Sequence, residues 1–258
     1  MVKKNNAAIA PWVLFLISAA MLSGGWLMKP FPLLIFFGFA PLFAIVDQTK
    51  QEHSYWTNIE FILLALFVSF FAANGFEGHS IIKSIVQAII FAMAFLGYTF
   101  AHQQLGERLG KFTILFFWVG LEYLLLKLPW RGNSIFLSEV MSSHSNYTRW
   151  TLHTGFLGIT LWILIVNLLA YFSFFRAGFN IYWLVATLIT LIAPVVYSYY
   201  YYYLKADGIN HEQMIALYSH AEVTGTYAKH GELVSRTGAW ISVVILLLSF
   251  VKTQTKKK

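Results

Sequence analysis

Residues 155–174 read GFLGITLWILIVNLLAYFSF, twenty consecutive positions without a charged side chain. As an α-helix this stretch rises about 30 Å, the thickness of a bilayer's hydrocarbon core. Leu, Ile, Val, Phe and Trp recur all round the helix rather than along one stripe, so no face is suited to water. Working outward from it, comparable apolar runs occupy 11–28, 31–46, 59–75, 84–101, 112–127, 181–203 and 238–251. The 258 residues are 58% hydrophobic and only 11% charged, with a mean hydropathy of +0.63. A soluble domain carries about 25% charged residues, so the solvent for most of this chain is lipid. The expectation is an all-α bundle of eight transmembrane helices forming one integral-membrane domain over residues 1–258. The first run follows Met-Val-Lys-Lys and is read as an uncleaved span, because further apolar runs follow it. Pro30 and Pro32 fall in the link after it, Pro129 follows the fifth span, and Pro194 is expected to kink the seventh.

Charge sets the expected orientation. An even number of spans puts Lys3, Lys4 and Lys256–Lys258 on one face, with the short links holding Lys50, Arg108, Lys111 and Arg176. The positive-inside rule makes that face, with both termini, cytoplasmic. The net charge of +7 is thus a membrane-orientation signal and not a nucleic-acid footprint. Two longer links, 128–154 and 204–237, then lie outside, as does the run Tyr197, Tyr199–Tyr203, whose phenols suit an interface.

Polar residues within the spans are few. Glu122 lies eleven residues past Lys111, and Asn167 twelve residues into the 155–174 run, so both fall about 16–18 Å deep. They are expected to face each other as an intramembrane polar pair, with Trp118 on the Glu122 face one turn earlier. A carboxyl at that depth is a functional candidate, and an interhelical hydrogen bond is its structural counterpart. The latter carries more weight here, because Glu122 stands nearly alone among charges at depth. Cysteine is absent, which excludes disulfides, thiolate metal sites and cysteine nucleophiles. His79, His144, His153, His211, His220 and His230 have no metal-ligand spacing, so no metal and no cofactor are expected. Ser142, Ser143 and Ser145 beside His144 lack a turn that would present a nucleophile, and the stretch reads as a polar loop. Gly155 and Gly158 read as points of close helix packing.

Several motifs point to one family. Trp26–Leu34 followed by Ala40-Pro41-Leu42 forms an aromatic-proline link and an APL span. Trp118-x-x-x-Glu122 is followed by Leu128-Pro129-Trp130 and by the run from Arg149-Trp150 through Thr154-Gly155, Gly158 and Trp162 to Asn167. Tyr227, His230-Gly231 and Arg236 lead into the last helix. In order and in spacing to the spans these resemble the membrane domain of apolipoprotein N-acyltransferase, a bacterial inner-membrane enzyme, over most of the chain. The resemblance implies a multi-pass protein of the cytoplasmic membrane concerned with lipoprotein maturation. It also exposes a gap. The family carries a nitrilase-like domain with a Glu-Lys-Cys triad between its seventh and eighth helices, where this chain has 204–237, 34 residues. A domain needs about 50–250 residues. No catalytic residue carries over.

The expected function is therefore non-catalytic: a protein that binds phospholipid or lipoprotein, or a membrane subunit for a partner supplying the catalytic domain. An intramembrane transporter or enzyme using Glu122 is the alternative. Arginine forks take phosphate in pairs of hydrogen bonds, and aromatic rings settle among headgroups. Trp130, Arg131, Arg149, Trp150, Lys205 and Arg236 are the lipid-binding candidates on that basis.

Overall fold

The computed structural model describes residues 9–28, 31–51, 58–128, 134–176, 178–204 and 232–255. These form α1 (Pro11–Leu27), α2 (Ile35–Gly38), α3 (Ala40–Gln51), α4 (Ile59–Ala73), α5 (Ile81–Leu105), α6 (Glu107–Gly110), α7 (Thr113–Lys127), α8 (Thr151–Thr154), α9 (Leu157–Phe174), α10 (Ile181–Leu204) and α11 (Leu233–Thr255), with 3-10 turns at Gly78–Ser80 and Leu137–Tyr147. There is no strand among the described residues. Four helices are long and apolar enough to cross a membrane: Gly78–Leu105, Leu157–Phe174, Ile181–Tyr200 and Leu233–Thr255. They mark the chain as a membrane protein. The remaining apolar helices are shorter, α7 having 15 residues and so rising about 22 Å.

The ends of these helices follow from local chemistry. Pro11 opens α1, where its missing N–H leaves no bond unmade. Gly106, at φ 84°, closes α5, and Gly155, at φ 79°, closes α8. That corrects the reading of Gly155 as a packing residue: its place is set by a left-handed backbone. Gly158 does serve close approach, since a Cβ there would meet Thr154 Oγ1 at 2.3 Å and the Trp150 ring at 3.1 Å. α10 continues through Pro194.

α9 is the centre of the molecule. It touches α2, α3, α7, α10 and the Leu137–Tyr147 segment, and Trp162 Nε1 donates to Thr190 O on α10 at 2.8 Å. Around it α1 packs on α4, α4 on α5, α5 on α7 and α7 on α11. The α7–α11 crossing is built on small residues. A Cβ at Gly120 would meet Ser242 Oγ at 2.8 Å, one at Gly238 would meet Val119 Cγ1 at 3.1 Å, and Ser242 Oγ donates to Phe116 O at 2.7 Å. Close backbone approach of this kind is what associates helices in lipid. α10 and α11, by contrast, leave most of their apolar side chains on the outside of the bundle.

Two segments depart from the sequence reading. The run 31–46 is not one helix but two, broken at Phe39. Pro41 accounts for the break: it has no N–H for Phe37 O, and its ring crowds the preceding turn. The 128–154 link, expected as a polar outer loop, is in part core. Phe136, Leu137, Val140 and Met141 form an apolar stripe that buries the Leu137–Tyr147 segment against α9 and α10, and Ser138 and His144 go in with it.

Candidate functional site

Glu122 is 0% exposed, on the face of α7 turned to α9. Its Oε1 accepts from Trp118 Nε1 at 3.1 Å and from the Leu137 backbone N–H at 2.8 Å, while Thr160 Oγ1 donates to Oε2 at 2.6 Å. Three donors thus converge on one carboxyl from three places: its own helix, the central helix, and the first residue of the inward-packed segment. That N–H belongs to the first turn of a helix, which has no partner within the helix. Glu122 supplies one. Gln87 on α5 holds the chain two residues earlier, donating from Nε2 to Ile135 O and accepting from Ile135 N at 3.4 Å.

Asn167, equally buried, has different partners. Its Oδ1 accepts from Phe39 N at 2.7 Å, and its Nδ2 donates to Ile35 O and to Ile163 O, each at 2.9 Å. Ser18 Oγ on α1 donates to Gly38 O at 2.6 Å. The helix break is therefore closed by side chains from two neighbouring helices, as backbone away from water requires. The expected Glu122–Asn167 pair is not formed. Thr160, the α9 partner of Glu122, is seven residues from Asn167, or about 10 Å along the helix. Counting residues from the helix ends missed this, because the Leu137–Tyr147 segment packs inward and the break at Phe39 claims the asparagine. The two are linked at one remove. The Trp118 indole that bonds Glu122 lies edge-on to Phe39, centroids 5.0 Å apart, and stacks on Phe91 at 4.4 Å.

A second polar cluster was not legible as a site in the sequence. Lys111, only 2% exposed, donates to Asp47 Oδ2 at 2.8 Å and also bonds the Tyr171 hydroxyl, which itself donates to Asp47. The ammonium lies 4.5 Å from the Tyr171 ring centroid. His102 Nδ1 is 3.9 Å from Asp47 Oδ1, and the imidazole stacks on Tyr98 at 5.5 Å. The cluster joins α3, α5, α9 and the link before α7. Lys111 therefore faces inward as a structural cation, where the sequence offered it only as one of the orienting charges. One signal was present: Asn167 and Tyr171 are one turn apart on the same face of α9, and they hold the beginning and the end of α3.

The lipid candidates fall into three groups. Arg149 and Trp150 occupy the turn into α8 and are half-buried. Arg149 Nη2 reaches Oδ1 of the exposed Asn146 at 3.5 Å, and Trp150 meets Trp162 edge-on at 5.8 Å. Arg236 is exposed in the first turn of α11. Trp130, Arg131 and Lys205 lie outside the described residues, as do His211, His220 and His230 and most of 204–237. His79 pairs with Glu77 at 3.0 Å, and no three His, Cys, Asp or Glu side chains converge among the described residues. Comparison with protein-family models, curated proteins and solved structures yields no match.

Proposed function

We propose that this chain is a multi-pass protein of a bacterial cytoplasmic membrane, an apolipoprotein N-acyltransferase-like scaffold without acyl-transfer chemistry of its own. On this reading it crosses the bilayer eight times with both termini in the cytoplasm, and it binds phospholipid or a lipid-modified protein. The observation that carries the non-catalytic half is the state of Glu122. Both its oxygens are occupied by Trp118, Leu137 and Thr160, so this fully buried carboxyl serves as a post for the Leu137–Tyr147 segment. A general base needs an oxygen within reach of the substrate's proton, and neither one faces open space. The same occupancy weighs against a transporter or enzyme working through Glu122. The motifs quoted above and the 34-residue interval at 204–237 support the acyltransferase-like reading.

A second form of the proposal, a membrane subunit for a separately encoded catalytic domain, draws on α10 and α11. Their outward apolar faces leave room for a partner's helices as well as for lipid. The test combines three measurements on the protein purified in detergent and in liposomes: lipid analysis, identification of co-purifying proteins, and acylation of a diacylated lipoprotein. Bound phospholipid without acylation supports the proposal. Acylation by this chain alone refutes it, and the absence of both lipid and partner refutes it equally. Reporter fusions at the two termini and within 204–237 test the orientation.

A further inference from the structure

The two oxygens of Asp47 are treated differently by the fold. Oδ2 is taken: Lys111 donates to it at 2.8 Å, and the Tyr171 hydroxyl donates to it as well. Oδ1 is shut away from the surface, although the side chain as a whole is 27% exposed, and it accepts no hydrogen bond among the described residues. An ionised carboxyl oxygen has two lone pairs, and where bulk water does not reach it a donor must be found for them.

Two residues of α5 stand by that oxygen. His102 Nδ1 is 3.9 Å from it, too far for a direct hydrogen bond. The gap suits a shared water, which at about 2.8 Å to each group leaves the two roughly 4 Å apart. Tyr98, one turn earlier and fully buried, stacks on the imidazole with the ring planes 12° apart. Its hydroxyl makes no hydrogen bond among the described residues and feels the Asp47 charge. Phe43, one turn before Asp47 on α3, meets the Tyr98 and Tyr171 rings edge-on at 6.1 and 6.2 Å. The tyrosine of α9 spends its hydroxyl on Oδ2, and the tyrosine of α5 has its own still to place. A Cβ at Gly110 would meet His102 Cα at 2.6 Å and Cδ2 at 2.7 Å, so the α6 turn lies against the imidazole and holds it where it is.

We propose that Tyr98, Asp47 and His102 hold one internal water molecule. The Tyr98 hydroxyl donates to its oxygen, and its two hydrogens go to Asp47 Oδ1 and His102 Nδ1, which puts the imidazole proton on Nε2. Three bonds to buried polar groups are the usual complement of such a water. It fastens α5 to α3 and, through Asp47, to Tyr171 on α9 and to Lys111. It also gives the buried imidazole a hydrogen-bonded route to the partly exposed carboxylate. The site stands or falls independently of the lipid-binding reading above.

The test is X-ray hydroxyl-radical labelling of the full chain in detergent, read by mass spectrometry, beside thermal unfolding of Tyr98→Phe. Radicals formed from a bound water mark the side chains that touch it, however deep they lie. Tyr98 and His102 should be modified at least about fivefold faster than Phe95, which is as buried on the same helix. Tyr98→Phe should cut the labelling of His102 by about threefold or more and lower Tm by about 2–8 °C, because the water loses one of its three anchors. If the hydroxyl has no bound partner, its removal instead relieves a buried polar group, and Tm holds or rises. That result overturns the site, and so does labelling of Tyr98 and His102 no faster than that of Phe95.

Discussion

Replacing Glu122 by leucine and by glutamine separates a structural post from a chemical group. Leucine has nearly the same bulk but removes the acceptor of three hydrogen bonds, from Trp118, Leu137 and Thr160. Each buried donor left without a partner costs about 1–3 kcal/mol. Thr160 can turn its hydroxyl back to the preceding turn of α9, which relieves part of this. The net expectation is about 2–5 kcal/mol, mostly from the Leu137 N–H and the indole. For a chain of this size each kcal/mol shifts Tm by roughly 2–4 °C, so Glu122→Leu should melt about 4–20 °C lower. Glutamine keeps the geometry. Its carbonyl accepts from Trp118 and Leu137, and its amide donates to Thr160 Oγ1, because a hydroxyl can accept as well as donate. Glu122→Gln should therefore melt within about 2 °C of wild type. The assay is thermal unfolding in detergent, followed by circular dichroism at 222 nm, with hydrogen exchange over 134–147 as a local readout. Exchange there should accelerate in the leucine variant only. Equal melting of leucine variant and wild type would refute the post, and so would a glutamine variant as unstable as the leucine one.

Further expectations concern the other polar contacts. Asp47→Asn should destabilise more than Lys111→Met, because the first leaves a cation 2% exposed without its carboxylate while Asp47 is 27% exposed and can turn to water. Breaking a buried pair costs about 3–5 kcal/mol, and the double variant should recover part of it, readable in the same melting assay. Asn167→Leu removes the acceptor of Phe39 N and the donor to Ile35 O and should lower stability by about 1–3 kcal/mol, with faster amide exchange at 39–42. Burial raises the Glu139 carboxyl above its ordinary range, against the Phe136 N–H and the Lys83 charge, which lower it. Its stabilising contribution is complete below the ordinary carboxylate range near pH ~4.3 and is lost as pH rises through the raised value. Glu139→Gln should thus raise Tm relative to wild type at pH 8 and lose that advantage toward pH 4; a constant offset across that range counts against the reasoning.

The apolar, helical character was legible because composition alone decides it: a run such as 155–174 offers water nothing, and the stretches 84–101, 155–174, 181–203 and 238–251 coincide with the four helices long and apolar enough to cross a membrane. Trp118 and Glu122 were legible as a pair because four residues bring side chains onto one helix face. What the sequence hid was tertiary. Pro41 announces a disturbed helix, but nothing near it in the chain names Asn167 as the residue that mends it. Leu137, Val140 and Met141 look unremarkable between Ser, Glu and His, and only the surfaces of α9 and α10 turn that segment inward. Lys111 was read by its charge, as loop lysines near membranes are, yet Asp47 and Tyr171 draw it inside.

The mended break has a consequence for how the chain is made. Phe39 and its acceptor on Asn167 are 128 residues apart, and Asp47 and Tyr171 are 124 apart. At about 5–20 residues per second, the ribosome takes roughly 6–26 s to deliver the second partner after the first. Throughout that delay the nascent α2–α3 segment lacks the side-chain amide that bridges Phe39 N and Ile35 O. Its early resting place must be one where water or the insertion machinery can satisfy them. Commitment of the N-terminal third to its final position therefore waits on α9, and chains arrested before residue 167 should keep residues 35–40 open to amide exchange.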